Sequence, residues 1–126
     1  MTHPAQRLDA LVHQPVRLGI LTILSELRRA DFGHLKDALS VTDGNLSSNL
    51  MKLEDSGYLT ITKVFEGKRP RTWLALTKLG REALGVEVAA LREIVALVDA
   101  QSQRSATQPE RDVDMSLDAS TETATC

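Results

Sequence analysis

The chain has 126 residues, 42% of them apolar and 25% charged, which is the material of one ordinary soluble domain. No apolar run approaches the ~20 residues that span a bilayer. Arg7 interrupts the N-terminus where a secretory signal would stay apolar, and the single cysteine, Cys126, excludes an intrachain disulfide or a multi-thiolate zinc site. A small cytoplasmic domain without membrane contact remains. Aromatics are limited to Trp73, Tyr58, Phe32 and Phe65, so the core must be built from Leu, Ile, Val and Ala, a composition that suits helices.

The formal net charge of −2 is unevenly spread. Residues 99–126 carry six acids against two bases, which leaves residues 1–98 with thirteen bases and eleven acids. Within that part, Lys63, Lys68, Arg69 and Arg71 are opposed locally only by Glu66. Partner choice follows local patches and not the chain total, so the acidic balance does not exclude a nucleic acid.

In chain order, Leu8, Leu11 and Val12 have helical spacing and predict a short first helix. Pro15 suits the first turn of a second helix, along which Val16, Ile20, Ile23, Leu24 and Leu27 form an apolar stripe of period 3.6. Asp31-Phe32-Gly33 breaks that pattern, and a short helix with Leu35, Ala38 and Leu39 follows, Gly33 standing as a weak cap before it. Thr42 is a good N-cap for the next helix, which runs to about Asp55, buries Leu46, Leu50 and Leu53, and ends at Gly57.

From Leu59 the period becomes two. Residues 59–65 and 72–76 read as strands, and residues 66–70 supply turn chemistry, giving a hairpin with a basic tip. Thr77 caps a long helix reaching about Val98. Residues 99–126, eight of them Ser or Thr, read as an acidic disordered tail.

Two short helices joined by a tight turn and followed by a basic hairpin make a helix-turn-helix with a wing, an α+β fold that is mainly helical. The second helix of such a pair enters the major groove. Opposite its Leu46-Leu50-Leu53 stripe fall Gly44, Asn45, Ser48, Met51 and Lys52. Asn suits an adenine edge, Ser several bases, and Lys a phosphate or guanine. The rigid Lys68-Arg69-Pro70-Arg71 tip suits a phosphate backbone or minor groove. On the last helix, Leu84, Val88, Leu91, Val95 and Val98 are spaced 4, 3, 4 and 3, a heptad-type seam that, with Leu8 and Leu11, predicts a homodimer interface.

The stretches Thr42–Ser47, Leu53–Tyr58, Phe65–Thr72 and Leu76–Arg81 closely resemble the small winged-helix regulators of the MarR/ArsR-like group, and most of all its stand-alone winged-helix DNA-binding domain family. The resemblance covers about residues 8–95 and implies a cytoplasmic homodimeric transcriptional regulator that binds double-stranded DNA at a palindromic operator. It implies DNA contacts by Thr42, Asn45, Ser48, Asn49 and Lys52, and by Lys68, Arg69 and Arg71 of the wing; Lys63 is close enough in sequence to join them. No cofactor is implied, although a small effector could enter between the wing domain and the dimer helices.

Other classes find less support. His3, His13 and His34 are isolated, without the spacing of a metal site, and no nucleophile–base pair, phosphate loop or carboxylate pair points to an enzyme. A winged helix that docks a protein instead of DNA is the remaining alternative, and it would favour an acidic or apolar surface on the 42–55 helix.

Overall fold

The computed structural model describes residues 2–107. The predicted first helix does not form. Pro4–Arg7 is a single 3₁₀ turn, Leu8 leaves it extended, and the Asp9 side chain accepts the Leu11 N–H at 2.9 Å, which diverts that amide from a helix. Gln14, as the residue before a proline, is likewise extended (φ −143°). Val12 nevertheless reaches the core and is fully buried.

Helix α1 (Pro15–Glu26) opens on its proline, with the Gln14 side chain accepting the Arg17 N–H at 2.8 Å. Its buried residues are Ile20, Leu21 and Leu24; Leu27, expected on the stripe, is the exposed C-cap. A two-residue strand β1 (Ala30–Asp31) follows. Helix α2 (Phe32–Leu39) is capped by Asp31 and not by Gly33: the Asp31 carboxylate accepts the His34 N–H at 2.8 Å. Ser40, at φ 53°, closes α2 and starts the tight turn into helix α3 (Asp43–Asp55). Thr42 caps α3 as expected, its hydroxyl accepting the Asn45 N–H at 3.1 Å.

Strands β2 (Leu59–Glu66) and β3 (Arg69–Leu76) pair antiparallel along their full lengths, from Leu59 opposite Leu76 to Glu66 opposite Arg69. The turn is therefore only Gly67-Lys68. Gly67 sits at φ 68°, the left-handed region that such short hairpin turns require. Arg69 and Pro70, expected in the turn, belong to the strand, as the Gly67 geometry closes the hairpin before them. β1 adds to the other edge of β3, giving the order β1-β3-β2.

Helix α4 (Lys78–Thr107) starts from Thr77, whose hydroxyl accepts the Gly80 N–H at 3.0 Å and donates to the Gly57 carbonyl at 2.6 Å. The Thr77 N–H also donates to the Tyr58 carbonyl at 3.1 Å. A methyl at Gly80 would lie 2.0 Å from that same carbonyl oxygen, so glycine is what lets α4 approach the end of α3 so closely. The helix continues past Val98, and the boundary expected there falls inside it: residues 99–107 contain Ala100, Gln101, Gln103 and Arg104, all good helix formers, and no proline occurs before Pro109. The rest of the tail, 108–126, lies outside the described residues.

The chain divides into two units, residues 1–91 and residues 92–126. The core belongs to the first. Val12, Ile20, Leu21, Leu24, Ala30, Leu35, Leu46, Leu50, Leu53, Leu59, Leu74 and Leu84 form one buried cluster that holds α2 and α3 against α1 and the base of the hairpin.

Candidate nucleic-acid interface

The buried Leu46, Leu50 and Leu53 turn one side of α3 inward, and the helical repeat then sets Gly44, Ser48, Met51 and Asp55 along the opposite side at i, i+4, i+7 and i+11. Asn45 and Lys52 flank that strip. All six are exposed, Met51 to 59%. Thr42 is exposed as well, but its hydroxyl is engaged in capping. At the start of α3, Asp43 pairs with Lys36 of α2 at 2.8 Å, tying the two helices together; the hydrogen bond to Asp43 holds the Lys36 ammonium above its ordinary range.

Asn49 does not share that outward face. Only 6% exposed, it accepts from the Arg17 guanidinium at 2.8 Å and donates to the Asn45 carbonyl at 2.9 Å and the Asn45 side-chain oxygen at 3.1 Å. The physical reason is its position 300° around the helix from Leu46, on the flank of the apolar stripe, where α1 covers it. Asn49, implied as a DNA contact, thus makes internal bonds that hold Asn45. Arg17 completes the cluster by donating to the Leu11 carbonyl.

On the wing, Lys68 and Arg69 stand exposed at the tip, without an acidic partner among the described residues. Lys63 lies further down β2 and lines a groove of about 290 Å³ with Ser47 and Met51 of α3. Arg71 is different. Its Nη2 and Nε donate to Asp31 at 2.8 and 3.1 Å, and its Nη1 donates to Glu66 at 2.8 Å. Arg71, implied as a wing contact, thus has its guanidinium bonded to two carboxylates of its own chain. Those bonds hold the Arg71 pKa above its ordinary value. The Asp31 carboxyl is held below its ordinary value, chiefly by the His34 N–H and then by Arg71.

Trp73 carries two guanidiniums against its ring. Arg29 lies 3.8 Å and Arg71 4.9 Å from the ring centre. Each such contact at a partly exposed site is worth about 0.5–1 kcal/mol.

A capped helix with a polar outer strip, set beside a hairpin with a cationic tip, is the geometry of a winged helix. Residues 16–95 match the sequence profile described as winged helix DNA-binding domain. The chain belongs to that family. The winged-helix chain is also 40% identical, over 68 residues, to an uncharacterised protein of Methanocaldococcus jannaschii; the match covers 54% of this chain and 74% of that protein. Among solved structures it is similar to a transcriptional regulator homologue from Pyrococcus horikoshii, with a TM-score of 0.72 and 31% identity, over 79% of this chain and 99% of that one. It shares its fold with a MarR family regulator, Sco3205 from Streptomyces coelicolor, solved in complex with DNA; the TM-score is 0.60 and the identity 22%, over 86% and 74% of the two chains. The winged helix is therefore the fold this chain adopts.

The residues expected at a dimer interface do not share one environment. Leu84 is 7% exposed and belongs to the winged-helix core, and Val88 packs against that core. The reading of Leu84 as an interface residue is corrected, because the inward turn of α4 near its start buries it within its own domain. Leu8, Leu11 and Leu91 are half-buried. Val95 and Val98 are each 56% exposed, as Leu97 and Val86 are to 51% and 55%.

Sequence reasoning also missed Glu87. It is 1% exposed in the middle of α4, bonded to His13 Nδ1 at 2.6 Å and accepting the Asp9 N–H at 3.3 Å. No run or spacing announces this contact, whose partners stand more than seventy residues earlier. Among the described residues, no three of His, Cys, Asp or Glu gather closely enough to hold a metal ion, and no helix is long and apolar enough to cross a membrane.

Proposed function

We propose that this chain is a sequence-specific regulator of transcription that binds double-stranded DNA as a homodimer. In this reading α3 lies in the major groove, and Lys68 and Arg69 of the wing meet the phosphate backbone or minor groove. The observation that carries it is the outer strip of α3. Its first member is a glycine that the fold itself does not need, because a methyl at Gly44 would meet nothing within 4 Å. Glycine inside a helix costs stability relative to alanine, and a bare, unfilled position there leaves clearance for a duplex. Asn45 beside it has a side chain suited to an adenine edge and held from behind by Asn49.

The exposed apolar residues of α4 beyond Leu84 support self-association, with Val95 and Val98 at its centre. In a two-fold dimer the two α3 helices would lie about 34 Å apart and read an inverted repeat.

Fluorescence anisotropy on a site selected from random DNA, run beside a random duplex, tests the reading. Asn45→Ala should cost about 1–3 kcal/mol on the selected site, relax preference at one base and leave random binding nearly unchanged. Lys68→Ala or Arg69→Ala should weaken both duplexes and lower the salt slope by about 0.9 for each phosphate no longer neutralised. A protein that binds neither duplex at low salt is a docking module and not a DNA-binding one.

A further inference from the structure

The distal half of the wing has no hydrophobic anchor. Every residue from Phe65 to Arg71 is exposed, Phe65 to 76%, and the base of α2 is separated from this part of the hairpin by an open cleft of about 600 Å³. β1 ends at Asp31 and pairs only with Leu74 and Trp73, so the outer edge of β3 beyond Trp73 has no strand beside it. What spans the gap is polar. One oxygen of Asp31 caps α2, and the other takes Arg71; Arg71 in turn holds Glu66 on the neighbouring strand and lies over the Trp73 ring, as Arg29 does.

We infer that Asp31 and Arg71 form a latch that sets the pose of the wing relative to the helix-turn-helix, making them positioning residues for the tip cations Lys68 and Arg69. This deepens the DNA-binding reading and rests on it. A helix in the major groove and a wing tip on the backbone engage one rigid duplex together only when the spacing between them is held. With a hairpin free to swing, the entropy of ordering it on the DNA would offset part of what each tip cation contributes. Because the same Asp31 carboxylate starts the first helix of the motif and grips the wing, it ties the two reading elements to one point. Arg71 on this account acts through the latch, with its charge already matched by two carboxylates, and not through phosphate.

The test is a double-substitution cycle on the full chain, using Asp31→Asn and Lys68→Ala with the selected duplex. Asparagine is as good an N-cap as aspartate, so Asp31→Asn keeps α2 closed and removes only the charge that holds Arg71. The latch predicts that Asp31→Asn weakens binding about fivefold or more, and that Lys68→Ala costs much less in that background than in the wild type. Arg71→Lys, which keeps one ion pair, should restore part of the coupling that Arg71→Gln abolishes. Two results overturn the inference: Lys68→Ala costing the same factor in both backgrounds, or Asp31→Asn tightening binding, which would mean that Arg71 is a DNA contact held back by Asp31. If Asp31→Asn lowers the thermal midpoint sharply, the same cycle is read with Arg71→Gln, where additivity again overturns it. A wild type that binds no duplex removes the DNA-binding reading and the latch together, whereas intact binding with additive substitutions removes the latch alone.

Discussion

Asn49 offers a test of the proposed division between a side chain that reads DNA and one that holds the reader. Truncation to alanine removes an acceptor from Arg17 and a donor from both oxygens of Asn45. Asn49 is 6% exposed, so water does not freely replace these bonds, and a buried polar group left unsatisfied costs about 1–3 kcal/mol, with a charged guanidinium at the upper end. Arg17 keeps its bond to the Leu11 carbonyl, which limits the loss to part of that range. Urea denaturation of Asn49→Ala should therefore show a destabilisation of about 1–2 kcal/mol. Binding to the selected duplex should weaken through a freed Asn45, and a further Asn45→Ala substitution should then cost less than it does in the wild type. An Asn49→Ala protein as stable as the wild type that still loses base preference would refute this reasoning, because Asn49 would then be touching DNA directly.

Two helical glycines should respond to alanine with opposite signs. Gly85→Ala, where a methyl meets nothing within 4 Å, should stabilise by up to about 1 kcal/mol; Gly80→Ala, with its methyl 2.0 Å from the Tyr58 carbonyl, should destabilise by about 3 kcal/mol or more in the same melts. Replacing Val95 and Val98 with Glu should yield monomers by light scattering and abolish operator binding; a wild type already monomeric at micromolar concentration would refute the dimer. The Asp31 carboxyl titrates below its ordinary 3.8 in the folded chain, so its contribution is fully present above that value and disappears as pH falls through the lower folded one. The stability difference between wild type and Asp31→Asn should accordingly stay constant from pH 8 to about 5 and shrink only in stronger acid; a difference that closes near neutrality would mean another group is responsible.

Much of the architecture was legible because it rests on periodicity and on caps that act within four residues. Leu46, Leu50 and Leu53 announced α3, Thr42 its start, and the alternation after Leu59 the wing. β1 was not legible, since two residues carry no pattern and Ala30-Asp31 becomes a strand only because β3 lies beside it. Arg71 looked like one more wing cation, because its partner Asp31 stands forty residues away and local charge spacing says nothing of such pairs. Asn49 was misplaced for a related reason. A stripe defined by leucines alone is narrower than the face α1 covers, so a polar residue on its flank reads as exposed when it is not. At Leu8–Val12 the spacing was helical, but Asp9 and the residue before Pro15 favoured extended backbone.

The buried carboxylate of Glu87 bears on how this domain can be trimmed. The family profile begins at residue 16, which makes a fragment starting there an inviting minimal domain. That cut removes His13 and the Asp9 amide, both bonding partners of a side chain that is 1% exposed, and leaves a buried carboxyl group without them. It also deletes Val12, fully buried in the core, and the Leu11 carbonyl that receives Arg17. Residues 2–14 contain only one 3₁₀ turn of regular structure, yet they supply the bonding partners of a side chain buried in a helix that begins some sixty residues later. A stable fragment has to start ahead of Asp9, and one begun at residue 16 calls for Glu87→Gln or Glu87→Leu to fold as well.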